Sequence, residues 1–246
     1  MYKRDIYKIV SNEPLTPAVS RMVLEGDTQY ITRSGQFVNI ELEGKFLRRP
    51  ISVADYDERT ITIIYKVVGS GTRQMQQMVA GKELDILTGL GNGFDTNNDA
   101  QNPLLVGGGV GVPPMYNLCK RLLSEGKQPK VIIGFNTKEE VFYLEEFKAL
   151  GVEVFCATAD GSMGDKGFVT DVIRERALEF DYIYTCGPLP MLKALYDATE
   201  VDAQFSFEER MGCGFGACMG CTCKTKYGNK RICKDGPILK REEIIW

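Results

Sequence analysis

The sequence predicts a β plus α/β fold in three parts: an antiparallel β-barrel or sandwich over residues 1–97, a parallel α/β domain of nucleotide-binding type over 98–208, and a small module over 209–246. Three observations carry this division. The first part is a series of short runs in which apolar and polar residues alternate, separated by Gly, Pro and Asp. From Asn102-Pro103 onward, continuous apolar runs alternate with helical segments. After Arg210 neither pattern continues, and the tail is rich in Cys, Gly and Lys.

In chain order, KIVSNEP, RMVLEGD, QFVNIELEG, RRPISVAD, TITIIYKVVG and KELDILTGLG have the period of two that sends alternate side chains to opposite faces of a strand. Such runs at this spacing make an antiparallel barrel or sandwich. GTRQMQQMVAG interrupts them and reads as a short helix opening at Gly71-Thr72 and closing at Gly81. In the second part PLLVGGG, KVIIGFN, VEVFCATAD, DYIYTCGP and QFSFEE read as strands. PPMYNLCKRLLSEG, EEVFYLEEFKALG, TDVIRERALEF and LPMLKALYDATE read as the helices between them. Strands that are apolar throughout are buried on both faces, which calls for a parallel sheet covered by helices on each side. The tail is too short to make a core, so a metal or a partner must hold it.

Composition narrows the chemistry. With 246 residues, 43% hydrophobic and 26% charged, the chain has ordinary globular composition and room for more than one domain. A net charge of −3 offers no general attraction to nucleic acid or to anionic lipid. No apolar run approaches the ~18 residues of a membrane span, and the start MYKRDIYKIV is too polar for a signal peptide, so a cytoplasmic protein is expected. Histidine is absent, which removes the usual proton shuttle and any His-ligated metal and points to chemistry carried by cofactors. In a reducing compartment the eight cysteines point to a metal site before disulfides.

Cys213, Cys218 and Cys221 are spaced CxxxxCxxC, and Cys233 follows after eleven residues, the plant-type ligand spacing of a [2Fe–2S] cluster. Gly212, Gly214, Gly216 and Gly220 allow a tight loop whose amides approach the sulfurs. Gly228-Asn229 predicts a two-residue turn that pairs Tyr227 with Lys230 and Lys224 with Cys233, returning Cys233 to the loop. Cys223 then points to the other face of the ribbon and is left out of the ligand set. A structural zinc ion is the alternative, since it also takes four thiolates, although zinc ribbons offer two separated CxxC knuckles. Cys119 and Cys156, inside helical and strand patterns, are expected in the core.

Two further stretches read as nucleotide sites. Gly107, Gly108, Gly109 and Gly111 lie between an apolar strand and a helix with proline in its first turn, where a pyrophosphate can meet backbone amides; a plain tight turn is the bland reading. Arg49-Pro50-Ile51-Ser52, followed by Tyr65-Lys66 and Gly71-Thr72, combines a cationic fork, a hydroxyl and a helix start, or else is a solvated strand end.

RPIS and GT in a barrel, GGGVGVPP at the start of the second domain and CGPLPML near its end together resemble the ferredoxin reductase superfamily, over essentially the whole chain. ERMGCGFGACMGCTCK with CKDGP resembles, within it, the electron-transfer subunits of class 1B (NAD-dependent) dihydroorotate dehydrogenase. The resemblance implies an FAD-binding barrel, with FAD on Arg49, Pro50, Ile51, Ser52, Ile64, Tyr65, Lys66, Gly71 and Thr72. It implies nicotinamide dinucleotide on the glycine loop and on Cys186, Gly187 and Pro188. The family often has Arg where Lys66 stands and an aromatic residue where Ile51 stands. It also implies a partner, the FMN-containing catalytic subunit that interconverts dihydroorotate and orotate in pyrimidine biosynthesis, in a heterotetramer with two copies of each. NAD is favoured over NADP because GFNTKEE brings Glu139 and Glu140 and no arginine to the end of the second strand.

The resulting expectation is a converter: NADH gives FAD two electrons as a hydride, and a [2Fe–2S] cluster takes them one at a time. No side chain is required as acid or base, so no catalytic residue is assigned. Cys186 is read either as a neighbour of the nicotinamide or as a structural cysteine. Lys224, Lys226, Lys230 and Lys234 form either a docking patch for an acidic surface or a solvated hairpin face. The same modules could serve an NAD(P)H–ferredoxin or bifurcating reductase, and a redox sensor without turnover is a third reading.

Overall fold

In the computed structural model, which describes residues 2–246, the alternating runs close into a six-stranded antiparallel barrel. Its strands are β1 (Lys3–Thr16), β2 (Val19–Glu25), β3 (Phe37–Ile40), β4 (Arg49–Tyr56), β5 (Thr60–Lys66) and β6 (Glu83–Leu90), in the spatial order β1-β2-β5-β4-β3-β6. The inward positions Tyr7, Ile9, Met22, Leu24, Ile61, Ile63, Tyr65 and Ile86 are all 1% exposed or less and form one core. Each fully buried side chain of this kind contributes roughly 1.5–3 kcal/mol.

The expected helix in the barrel is present but starts and stops early: α1 spans Ser70–Gln76, not Gly71 to Gly81. Gly69 takes the extended cap conformation, and Thr72 Oγ1 accepts from the N–H groups of Val68 and Gly69 at 2.9 and 3.1 Å. At the other end Asn12 Nδ2 on β1 donates to the carbonyls of Met75 and Met78, satisfying groups that further helix would have used.

The second part is a sheet in the order β10-β9-β8-β7-β11-β12-β15. It contains β7 (Pro103–Gly108), β8 (Lys130–Phe135), β9 (Glu153–Thr158), β10 (Asp165–Lys166), β11 (Tyr182–Cys186) and β12 (Ala203–Ser206), all parallel. Helices α2 (Val112–Ser124), α3 (Leu144–Ala149), α4 (Val169–Glu175) and α5 (Leu189–Ala198) cover it. Leu105, Leu118, Val131 and Tyr184 pack on one face, Leu104, Val106, Ile132 and Leu192 on the other. The strand order reverses between β7 and β11, so the loops leaving those two strands diverge from a shared crevice, the usual position of a ligand in open α/β sheets.

α3 is much shorter than EEVFYLEEFKALG predicts. Phe142 and Tyr143 turn inward to stack edge-on with Phe135 at 5.2 Å and Tyr116 at 5.0 Å, and Tyr143 takes φ 66°, which breaks the helix before Leu144.

Two features of the tail depart from the sequence reading. The ribbon β13 (Thr222–Thr225) and β14 (Gly228–Arg231) turns at Lys226-Tyr227, pairing Cys223 with Lys230 and Lys224 with Asn229. The predicted turn at Gly228-Asn229 is therefore corrected. Neither Lys226 nor Tyr227 takes positive φ, and Gly228, paired with Thr225 directly after the turn, takes φ 110°, where glycine is at home. The second feature is β15 (Ile238–Lys240), which adds antiparallel to β12 at the edge of the sheet, a strand absent from the sequence reading.

The barrel and sheet are joined through α2, where Asn117 Nδ2 and Lys120 Nζ reach the Asp55 carboxylate of β4 at 2.8 and 2.7 Å and Arg121 Nη1 reaches Thr32 O at 3.2 Å.

Candidate functional site

A cleft of about 980 Å³ runs between the barrel and the C-terminal ends of the parallel strands. Its barrel wall is Arg49, Pro50, Ile51 and Ser52 from β4, with Ile64, Tyr65 and Lys66 from β5 and Thr72 from α1. Its sheet wall is Gly108, Gly109 and Gly111 after β7 and Cys186, Gly187 and Pro188 after β11. Residues that the sequence reading assigned to two separate nucleotide signals thus face one space.

Gly71 and Gly107 do not line it. A Cβ on Gly71 would lie 2.4 Å from Arg49 Nε, so this glycine leaves room for the Arg49 side chain. A Cβ on Gly107 would lie 2.7 Å from Val112 Cα, so this glycine lets α2 approach β7. Packing explains two others: a Cβ on Gly111 would meet Cys186 O at 2.2 Å, and one on Gly108 would meet Met191 Sδ at 2.5 Å. Gly109 differs. It has φ 52° and nothing within 4 Å of its Cβ position, leaving bare backbone at the cleft.

Across the cleft, Lys66 Nζ lies 3.9 Å from Glu140 Oε1, while Glu140 Oε2 accepts from Asn136 N and Nδ2 at 3.2 and 2.9 Å. Of the acidic pair at the end of β8, Glu140 lines the cleft and Glu139 does not. Sequence reasoning missed Phe37, Phe168, Ser206 and Glu208, which also line it. Phe168 is 69% exposed, a residue type that burial patterns ignore. Glu208 stands in the QFSFEE segment, where nothing in the local spacing marks it. Burial pushes the Cys186 thiol up to about 12, a hydrogen bond with Ser206 works against this, and Glu208 adds to it. The group is a neutral thiol at physiological pH.

Met211, two residues before Cys213, and Pro237, four after Cys233, also line the cleft and lead from it to the cysteine loop. There the four cysteines of the sequence reading come together in two pairs. Cys213 Sγ accepts from Ala217 N at 3.2 Å and Cys218 N at 3.4 Å, and Cys218 Sγ accepts from Cys213 N at 3.4 Å and Gly220 N at 3.5 Å. Cys221 Sγ accepts from Cys233 N at 3.3 Å, beside the bond from Ile232 N to Cys221 O at 3.0 Å. Burial opposes ionisation of Cys213, yet the N–H groups of Cys218, Phe215 and Ala217 outweigh it and bring that thiol down to about 6.

Among the described residues no group of three Cys, Asp or Glu is placed to hold a single ion. Two sulfur pairs with amides directed at the sulfurs fit a two-iron cluster, which spreads its four ligands over two metals, better than one tetrahedral ion. Cys223 is half-buried, packs against the core cluster, and donates its thiol to its neighbour Lys224 O at 3.6 Å, away from the other sulfurs' amide contacts. Gly214 and Gly216 take φ 81° and 91°, whereas Gly212 and Gly220 do not use positive φ and lie close to Cys218 Sγ.

The lysine patch is partly used within the chain. Lys230 pairs with Glu243, and the Lys234 stem lies against Gly216. Cys119 and Cys156 are buried, and burial raises both thiols, Cys119 to about 12.

Comparison with known proteins gives a consistent result. Residues 208–245 match the iron–sulfur cluster binding domain of dihydroorotate dehydrogenase B, and residues 105–197 match an oxidoreductase NAD-binding domain. The electron transfer subunit of dihydroorotate dehydrogenase B (NAD(+)) from Bacillus pumilus is 44% identical over 98% of this chain and 98% of its own. That from Fusobacterium nucleatum is 48% identical over 85% of this chain and 86% of its own. Among solved structures, one of an NADH-dependent reduced ferredoxin–NADP oxidoreductase, studied for flavin-based electron bifurcation, is 31% identical with a TM-score of 0.89, covering 98% of this chain and 90% of that one. Phthalate dioxygenase reductase shares the fold at 19% identity and a TM-score of 0.63 over 79% of this chain and 64% of that one.

Proposed function

This chain belongs to the family of dihydroorotate dehydrogenase B electron transfer subunits, and from that premise we propose that it oxidises NADH through FAD and passes single electrons through a [2Fe–2S] cluster to the FMN of a separate dihydroorotate dehydrogenase catalytic subunit. The observation that carries this reading is the continuity of the cleft: barrel residues, nicotinamide-loop residues and the approach to the cysteine loop line one space.

FAD and the cluster supply the conversion of a two-electron donor into one-electron steps. On the barrel wall, Arg49 and Lys66 would offer cations to a diphosphate, Ser52 a hydroxyl, and Pro50, Ile51 and Ile64 apolar surface to a flavin ring, while the Tyr65 side chain fills the barrel core. Gly71 gives Arg49 its place and Thr72 holds the start of α1. Opposite them, Gly109 exposes its backbone to a pyrophosphate while Gly107, Gly108 and Gly111 bring the surrounding elements close enough to shape that turn. Cys186, Gly187 and Pro188 would bound a nicotinamide approaching the flavin, and the thiol of Cys186 stays neutral at pH 7. Their task is to hold two rings at transfer distance and to exclude water.

Glu140, in the cleft lining beyond the end of β8, is suited to accept from a ribose 2′-hydroxyl and to repel a 2′-phosphate, which supports NADH over NADPH. Cys213 and Cys218 would hold one iron, Cys221 and Cys233 the other. Among the described residues no helix is long and apolar enough to cross a membrane, and a cytoplasmic location accords with this role.

The likeness to the bifurcating oxidoreductase favours a second reading, in which the same modules feed another acceptor. Anaerobic purification with the native partner, followed by NADH titration with visible spectra, separates the two. A partner containing FMN that dihydroorotate reduces is expected. A partner that reduces ferredoxin and ignores dihydroorotate would overturn the first reading, and a preparation without flavin or iron would overturn both.

A further inference from the structure

Asn39 joins the wall of the cleft to the cysteine loop. It stands on β3, is 1% exposed, and is paired in register with Pro50 of β4, a cleft-lining residue. Its Nδ2 donates to Cys213 O at 3.2 Å, across 174 positions of sequence. Gly214 lies on the same amide: at φ 81° its Cβ position falls 2.3 Å from Asn39 Nδ2, so no other residue lets the loop come this close. The backbone of Asn39 is held from behind by Arg48, whose Nη1 donates to Asn39 O at 3.3 Å and Asp85 O at 3.0 Å.

Asn39 Oδ1 is buried without a partner. Turning the amide over would set oxygen against the oxygen of Cys213, so the acceptor fixes the orientation. A leucine of the same branching would leave no unpaired Oδ1 but would take the donor away from Cys213 O, and that donor is what an asparagine adds here. That donor controls more than one bond. The peptide unit is planar and trans, so with Cys213 O held toward the barrel the N–H of Gly214 points away from it. The orientation of the amides near Cys213 Sγ, including those of Ala217 and Cys218, is then referred to the cleft wall and not only to the loop.

Resting on the function proposed above, we propose that Asn39 is a positioning residue for internal electron transfer. It fixes Cys213 against the flavin-bearing wall and so sets the reduction potential of the cluster and the rate at which reduced FAD passes an electron to it. In that step FAD loses one electron and one iron goes from ferric to ferrous. Hydrogen bonds and orientation around ligating thiolates tune iron–sulfur potentials, and loss of such outer contacts typically costs about 10–100-fold in activity or affinity.

The test uses Asn39→Asp and Asn39→Leu in the intact complex, prepared anaerobically with iron and FAD content matched to the unaltered protein. Both keep the number of side-chain heavy atoms and the branching at Cγ. Asn39→Asp replaces the donor with an anion beside Cys213 and is expected to lower the cluster potential in a dye-mediated titration and to change the electron paramagnetic resonance signal of the reduced cluster. Asn39→Leu is expected to slow cluster reduction after stopped-flow mixing with NADH by about tenfold, with flavin bleaching in the preceding step unchanged. Unchanged potential, signal and transfer rate in both would overturn the proposal. So would failure of both to hold iron while keeping FAD, since the loop would then need Asn39 only to fold. If the unaltered complex shows no cluster or no bleaching by NADH, it is the functional reading that fails.

Discussion

The cleft and the cysteine loop are built in opposite ways. The cleft is assembled from the ends of regular strands, each fixed by a hydrophobic core on at least one side. The cysteine loop has almost no regular structure between Glu208 and Cys221; Met211, Cys213 and Phe215 rest against the edge of a core cluster, and beyond that the loop is tied down by a few polar contacts. These are Asn39 to Cys213 O at 3.2 Å, Arg231 Nη1 to Gly216 O at 2.8 Å, and amides onto sulfurs. The cleft should keep its shape without cofactors, because burial supplies its stability. The loop should depend more on metal, because ligand bonds would supply order where regular structure is missing and the core is reached only at its edge.

The sharpest way to break this contrast is to remove a ligand. Cys221→Ser is expected to abolish cluster reduction and lower transfer to the native acceptor at least about 100-fold, while NADH still bleaches the flavin. Limited trypsin digestion of that variant should cut first within Lys224–Lys234 and leave the barrel intact. Simultaneous loss of FAD would show that the two regions are not independently stabilised.

A smaller effect probes the cleft. Gly111→Ala places a Cβ 2.2 Å from Cys186 O, a backbone atom with little room to yield. Overpacking of this kind costs about 1–3 kcal/mol, and for a chain of this size each kcal/mol lowers Tm by about 2–4 °C. The Michaelis constant for NADH should rise and the iron content stay unchanged, measured by steady-state kinetics and iron assay.

The smallest effect is one of pH. Burial raises the Cys119 and Cys186 thiols to about 12, above their value of about 8.5 in an unfolded chain. The unfolded state therefore gives up these protons first, and the stability they contribute is complete below about pH 8.5 and declines as pH climbs toward 12. Tm should fall across this window, and Cys119→Ala should flatten the slope. Flavin reduction by NADH should stay level between about pH 6 and 8, because the chain has no histidine and the Cys186 thiol remains neutral there.

How far the sequence could be read follows the same contrast. The barrel strands and the parallel strands were legible because burial imposes periods of two or continuous apolar runs. The four cysteines that the structure brings into two pairs stand out by their spacing alone, whereas the Arg49–Ser52 segment and the glycine loop, which reach one cleft, stand out only together with the family resemblance. Features decided by contacts distant in sequence were not. Asn12 ends α1 from another strand, Phe142 and Tyr143 cut α3 short by stacking, and Ile238–Lys240 shows its strand character only beside β12. The hairpin turn lies two residues before the Gly228-Asn229 signal because Gly228 opens the second strand of the ribbon, paired with Thr225, and is not a turn residue.

The pairing of Ser206 with Ile238 has a consequence for the architecture as a whole. Everything between them, including the cysteine loop and its ribbon, leaves the sheet at one strand and returns to it at the neighbouring one, with Phe207 N bonded to Pro237 O at 2.9 Å at the neck. Topologically the iron–sulfur segment is an excursion with touching ends. Such a segment can be exchanged as a cartridge: a short turn in its place would leave a sheet of the same order and a plain two-domain flavin reductase, and a different insert at the same neck would redirect the outlet without redesigning the inlet.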